Sequence, residues 1–147
     1  MKENIVQIKS EDFSVRIINL FKHLYYTLHE VVLSKQILRS GTSIGANVCE
    51  AICSISKNEF LTKMYISYKE CNETLFWLRL LKRTEYIDEK GFESLTKDCT
   101  ELFNILGSIT KSTAEAIKQE KEEKKQRRKK KIIESQEEIG KELIPNS

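Results

Sequence analysis

The chain has 147 residues, of which 39% are hydrophobic and 32% are charged, and its formal net charge is +3. That length is sufficient for one domain with a buried core. The sequence contains no run of eighteen apolar residues, so a membrane-spanning helix is not expected, and its single proline and five glycines favour long helices over a sheet.

The N-terminal sequence predicts a cytoplasmic protein, and this prediction bears on its cysteines. The opening residues, MKENIVQIKSEDF, lack the apolar core and the cleavage site of a signal peptide. In a reducing compartment the cysteines are expected to be free thiols, buried or half-buried in the fold. They are Cys49, Cys53, Cys71 and Cys99.

Apolar residues recur three and four positions apart along four segments, which is the spacing of amphipathic helices. The first predicted helix runs from about residue 12 to residue 33, and the second from about residue 35 to residue 54. The buried stripe of the first helix is predicted to be Phe13, Ile17, Leu20, Leu24, Leu28 and Val31.

The third predicted helix has a clear start at SKNEF, where Ser56 and Glu59 form a capping box. It ends near Tyr86, and the fourth helix follows the polar turn DEKG at residues 88–91. Four amphipathic helices joined by short connections must pack their apolar stripes together. The predicted fold class is therefore all-α, an up-and-down antiparallel four-helix bundle.

The charge divides the chain into two predicted domains. Residues 1–117 contain fifteen basic and fifteen acidic side chains and form the bundle. Residues 118–147 form a charged C-terminal extension, helical or disordered, that carries the net positive charge. Seven basic residues fall in KKQRRKKK at 124–131. Two interpretations of this run are open: it binds nucleic acid through phosphate contacts, or it only makes the tail soluble. The seven are Lys124, Lys125, Arg127, Arg128, Lys129, Lys130 and Lys131.

The second predicted helix has two unusual faces. Gly41 and Gly45 lie four residues apart on or beside its apolar face, which predicts a tight seam with another helix, since glycine in a helix costs about 1 kcal/mol relative to alanine. The opposite face carries polar residues that are uncommon on a plain solvent-exposed helix side. These are Arg39, Ser43, Asn47 and Glu50.

The third predicted helix has an outer stripe of the same character. Glu70, Glu73 and Trp77 lie away from the apolar face of that helix, and a tryptophan beside two carboxylates is suited to a protein partner. Two arrangements are open: Arg39 or a lysine of a neighbouring subunit pairs with Glu70 or Glu73, or the pair forms within one bundle.

The sequence predicts no catalytic, metal or cofactor site. A di-iron bundle site needs inward Glu-x-x-His pairs, and neither His23 nor His29 lies three residues after a glutamate. The GTSIG sequence lies within a predicted helix and lacks the Gly-Lys-Ser/Thr of a phosphate loop. We therefore expect a binding or assembly protein and not an enzyme.

Two segments carry a resemblance to a known family. LRSGTSIGANVCEA at 38–51 and SKNEFLTKMYISYKECNETLFWLRLL at 56–81 closely resemble the bacterial four-helix-bundle family first noticed within intervening sequences of 23S ribosomal RNA genes. The resemblance covers roughly residues 12–112 and excludes the tail. It implies a homo-oligomer, a pentameric ring in characterised members. The family motif residues match Arg39, Ser40, Ser43, Asn47, Glu50, Lys69, Glu70, Glu73 and Trp77 here.

A more remote similarity is to the ring-forming accessory protein of diversity-generating retroelements, which binds nucleic acid and engages a reverse transcriptase. The resemblance thus implies RNA, DNA, a reverse transcriptase or another nucleic-acid-processing protein as partners, besides further copies of the chain. The predicted function is a non-enzymatic, homo-oligomeric accessory protein that binds or helps to process nucleic acid. The alternative is a structural protein–protein scaffold without nucleic-acid contact.

Overall fold

A computed structural model describes residues 4–144, and in that range the secondary structure is entirely helical. The helices are α1 (Ile5–Lys22), α2 (Leu33–Ile52), α3 (Lys57–Arg83) and α4 (Glu89–Leu143), with a π-helical segment (His23–Thr27) after α1. The all-α four-helix bundle predicted from the sequence is confirmed.

Contacts between helices show that neighbours in the bundle run antiparallel. Ser40 of α2 is hydrogen-bonded to Thr74 of α3. Ile44 comes after Ser40 in α2, but its carbonyl accepts from Ser67, which comes before Thr74 in α3. Between α1 and α4, ion pairs join Lys9 to Glu101 and Arg16 to Asp98. The residue number again rises along one helix while it falls along the other, so these two helices are antiparallel as well.

The seam predicted from the two glycines of α2 lies against α1. A Cβ atom on Gly41 would stand 2.7 Å from Cγ1 and Cγ2 of Ile17, which is fully buried. A Cβ atom on Gly45 would stand 3.1 Å from the Ser14 hydroxyl and 3.2 Å from the Ser10 carbonyl oxygen. Gly41 therefore needs glycine because the Ile17 side chain occupies the space, whereas a Cβ atom at Gly45 would be in tight contact with α1.

The first helix begins and ends earlier than predicted. The Asn4 side chain caps its start by accepting from the Gln7 amide. At the other end His29 has a φ of 54°, and the Glu30 amide donates to the Leu24 carbonyl at 2.8 Å. This closure stops the helix, so the prediction that Leu28 and Val31 are buried is wrong; both are exposed.

The capping box at the start of α3 is confirmed. The Glu59 amide donates to the Ser56 hydroxyl at 3.1 Å. The Glu59 carboxylate turns back and accepts from the Ile55 amide at 3.0 Å, one residue before the cap. These two bonds satisfy amide groups at a helix start that have no partner within the helix.

Two of the four cysteines lie in the core. Cys71 and Cys99 are fully buried, and the Cys99 thiol donates to the Cys71 carbonyl at 3.5 Å. Cys49 and Cys53 are exposed at the end of α2, so the expectation of buried or half-buried thiols is wrong for that pair.

The chain divides into two compact units, with the boundary between Ser112 and Thr113. The first unit contains the packed helices and the core. In the second unit α4 continues as a helix to Leu143, and every side chain from Lys121 to Ile144 is exposed. The described part of the predicted extension is therefore helical.

Candidate oligomer and nucleic-acid interfaces

Two of the four side chains on the polar face of α2 bond to their own helix. The Ser43 hydroxyl donates to the Arg39 carbonyl at 2.6 Å, and the Asn47 amide nitrogen donates to the Ser43 carbonyl at 2.8 Å. Arg39 and Glu50 are exposed, whereas Ser43 and Asn47 are half-buried. Side chains that bond to the preceding turn leave few donors free for a partner.

Ser40, a predicted interface residue, lies inside the bundle. It is fully buried, and its hydroxyl and that of Thr74 are hydrogen-bonded at 2.9 Å. One turn away, the buried Ser67 hydroxyl donates to the Ile44 carbonyl at 2.8 Å. These hydroxyls hold α2 against α3, because buried polar groups favour the register in which they are bonded.

Glu50 also acts within one chain. Its carboxylate forms a 2.5 Å ion pair with Lys63 of α3, and this hydrogen bond raises the pKa of the lysine. The pair lies on the surface, where such contacts contribute little to stability.

Glu70, Glu73 and Trp77 form one cluster on α3, and all three are half-buried. The Trp77 indole nitrogen donates to Glu73 Oε1 at 3.4 Å, a long bond. Glu70 Oε2 is buried without a hydrogen-bond partner in the described part of the chain. A carboxylate oxygen in that state is costly unless a donor reaches it.

The surroundings of Glu70 raise its pKa above the ordinary value of a glutamate. Burial raises the pKa of Glu70, and the neighbouring carboxylate of Glu73 raises it further. The charges of Arg39 and Lys69 act in the opposite direction. The charge of Arg39 on α2 therefore acts on Glu70, but among the described residues no ion pair joins Arg39 to Glu70 or Glu73.

The seven basic side chains of the KKQRRKKK run are all exposed on the helix of the second unit. Within the described residues, the run makes one ion pair, a loose one of 3.8 Å between Lys130 and Glu134. With a rise of about 1.5 Å per residue, the run places seven positive charges along roughly 11 Å of helix. Such a density suits a phosphate backbone.

The described residues contain no group of three or more histidine, cysteine or acidic side chains placed to hold a metal ion. None of the described helices is long and apolar enough to cross a membrane.

The residues that join α3 to α2 were not predicted from the sequence. These residues are Lys63, Ser67 and Thr74 of α3, which form an ion pair or hydrogen bonds with α2. Ser67 and Thr74 lie seven residues apart beside Met64 and Cys71, so small hydroxyl residues within an apolar stripe were the available signal.

Comparison with known proteins assigns the family. The chain is similar to a crystal structure at 1.70 Å resolution of a protein of unknown function from the S23 ribosomal protein family of Bacteroides thetaiotaomicron, with 53% identity and a TM-score of 0.71. The match covers 72% of this chain and 98% of that chain. No curated protein matches. The family model for the 23S rRNA-intervening sequence protein matches residues 2–108, and the chain therefore belongs to that family.

Proposed function

We propose that this protein is a non-enzymatic, homo-oligomeric bundle, most simply a pentamer, that binds nucleic acid or assists a nucleic-acid-processing partner. The observation that carries the proposal is the exposed basic run at 124–131, whose charges are almost unpaired among the described residues. The family name, which refers to ribosomal RNA, is in line with an RNA ligand.

Self-association is supported by the cluster on α3. Glu70 has a buried oxygen without a donor, and Trp77 is a half-buried aromatic side chain at the rim of the core. A lysine or arginine of a second copy would pair with the neighbouring, half-buried Glu73 carboxylate, and Trp77 would supply apolar contact. An oligomer would also multiply the basic runs, so that several weak contacts act on one nucleic acid.

The nucleic-acid proposal is tested by neutralising part of the run. The variant Arg127→Gln/Arg128→Gln/Lys129→Gln should bind RNA more weakly than the unchanged chain. The slope of log affinity against log salt should become shallower by about two units if all three side chains contact phosphates, since each contact contributes roughly 0.7 to 0.9. Fluorescence anisotropy of labelled RNA at several salt concentrations measures both quantities.

The matched control removes the same charge elsewhere. Lys22, Lys90 and Lys97 are exposed on the bundle, so Lys22→Gln/Lys90→Gln/Lys97→Gln has the same net charge as the first variant. It should keep the affinity and the slope of the unchanged chain. Equal loss in both variants would mean that net charge alone matters and that the run is not a binding segment.

The alternative function is a structural scaffold that recruits another protein. An exposed apolar stripe on α1 favours it, because such residues are costly to leave in water. The stripe consists of Ile5, Ile8, Val15 and Ile18. A partner captured from cell extract that survives nuclease treatment, together with no RNA binding at low salt, would favour the scaffold.

A further inference from the structure

Three aromatic rings are stacked between α3 and α4 in the first unit. The Tyr68 and Phe103 rings lie 4.4 Å apart at an angle of 19°, and the Tyr65 and Tyr68 rings lie 5.9 Å apart at 27°. Gly107 makes room for the middle ring, since a Cβ atom there would stand 3.3 Å from Tyr68 Cε2. The Tyr68 ring is therefore held in place by its surroundings, and it supports the Tyr65 ring.

The outer end of this stack reaches the surface. The Tyr65 side chain is 50% exposed. Lys69, one helical turn later, places its ammonium group 5.4 Å from the centre of the Tyr65 ring. A half-exposed ring on a fixed support, with a cation at its face, combines the two groups that single-stranded nucleic acids use on proteins, a stacking surface and a phosphate contact.

The charge around the stack suits an anion. Lys69 and Lys111 are exposed, and neither is held in an ion pair in the part of the chain that the structure describes. Contacts of Cys99 with Cys71 and of Phe103 with Tyr68 show that α3 and α4 are antiparallel. Lys111, one turn after Gly107 on α4, therefore lies towards the Tyr65 end of the stack.

We propose that Tyr65 is a platform on which one base of a single-stranded nucleic acid stacks, while Lys69 moves from the ring to the adjoining phosphate. This inference rests on the proposed function and adds the class of ligand and its place on the bundle. A paired base within a duplex does not offer its face, so the platform selects single strands.

A second aromatic cluster provides a matched control. Tyr26 is 68% exposed, but its ring meets Phe21 at 75° and Tyr25 at 67°. These rings pack edge to face and do not form a parallel stack. Tyr26→Ala therefore removes an exposed tyrosine of the same chemistry without removing a platform.

The test uses the full chain and labelled strands of about a dozen nucleotides, as single-stranded RNA, single-stranded DNA and a duplex of equal length. Fluorescence anisotropy should show that Tyr65→Ala weakens binding to the single strands by about tenfold and leaves duplex binding unchanged. Tyr65→Phe and Tyr26→Ala should bind single strands as the unchanged chain does. Circular dichroism confirms that each variant is folded.

The outcomes separate this inference from the proposed function. If Tyr65→Ala binds single strands as tightly as the unchanged chain, the platform is wrong, whatever the basic run does. If neutralising the run removes binding but Tyr65→Ala does not weaken it, the platform falls and the function stands. If the unchanged chain binds neither single strands nor duplex at low salt, both proposals are overturned.

Discussion

At the scale of single residues, the tightest constraint is at Gly41. Because an added Cβ would lie 2.7 Å from two atoms of fully buried Ile17, Gly41→Ala should lower the free energy of unfolding by about 1–3 kcal/mol. Urea unfolding measures the loss. Gly140→Ala is the control, since nothing lies within 4 Å of its added Cβ. A Gly41→Ala protein as stable as the unchanged chain would mean that α1 is not packed against this seam.

A second residue-scale prediction concerns the end of α3. Glu85 has a φ of 66° and is exposed, while the Tyr86 amide donates to the Leu81 carbonyl at 2.9 Å. A left-handed conformation costs a residue with a Cβ about 1 kcal/mol, which glycine does not incur. Glu85→Gly should therefore raise the free energy of unfolding by about 0.5–1 kcal/mol.

The same substitution inside a helix should have the opposite effect. Glu11 is exposed in the middle of α1, so Glu11→Gly should lower the free energy of unfolding by about 1 kcal/mol. Thermal unfolding of both variants decides the matter. If Glu85→Gly is also destabilising, the chain does not adopt this closure after α3.

The glycines of α2 and the end of α1 show how far single residues could be predicted from the sequence. Glycines four apart on an apolar helix face predicted a tight seam with another helix, because the spacing alone puts them together, but only the structure shows that this helix is α1. The end of the first helix was missed, because Leu28 and Val31 continue the apolar spacing while His29 takes a left-handed conformation that glycine or asparagine more often adopts.

At the scale of elements, α2 and α3 are joined by hydrogen bonds between buried hydroxyl and carbonyl groups. The residue pattern of either helix alone does not predict these bonds. The bond between Ser40 and Thr74 depends on the register of two helices, so spacing within either one could not predict it. The polar face of α2 was identified from its residue types, but its bonds to the preceding turn are a feature of the folded helix.

The Glu70 cluster gives a pH-dependent prediction. The pKa of the Glu70 carboxyl group is raised above 4.5 in the folded chain, so the native state holds this proton more tightly than the unfolded state does. The protonated Glu70 side chain therefore makes its full contribution to the free energy of unfolding below pH 4.5. This contribution declines as the pH rises through the pKa of Glu70 in the folded chain. Glu70→Gln, a neutral analogue, should lack that decline.

Thermal unfolding at pH 4.5 and pH 7 compares the two proteins. Glu70→Gln should gain stability relative to the unchanged chain at pH 7, by about 1 kcal/mol or less because the group is only partly buried, and the gain should shrink at pH 4.5. Glu11→Gln, at an exposed site, is the control. A gain that is equal at both pH values would contradict the assignment.

At the scale of the whole molecule, the proposed assembly places Trp77 and Glu73 at a contact between copies. Trp77→Ala and Glu73→Lys should each lower the mass measured by light scattering towards that of one chain, 17.2 kDa. Tyr26→Ala, an exposed aromatic residue away from this cluster, should keep the mass of the unchanged protein. If Trp77→Ala and Glu73→Lys also keep it, the interface lies elsewhere.

The two units also differ in how far sequence could predict them. The bundle followed from its apolar stripes, because burial dictates that pattern. The tail has no buried side chain from Lys121 to Ile144, so its charge pattern fits a helix or a disordered segment equally well.

Sedimentation of a labelled single-stranded RNA with the 147-residue chain, at low and at moderate salt, tests assembly and RNA binding in one measurement. At low salt the RNA should sediment with a particle containing several 17.2 kDa chains, and moderate salt should release it. RNA that sediments alone at low salt, beside a protein with the mass of one chain, would contradict both the assembly and the binding.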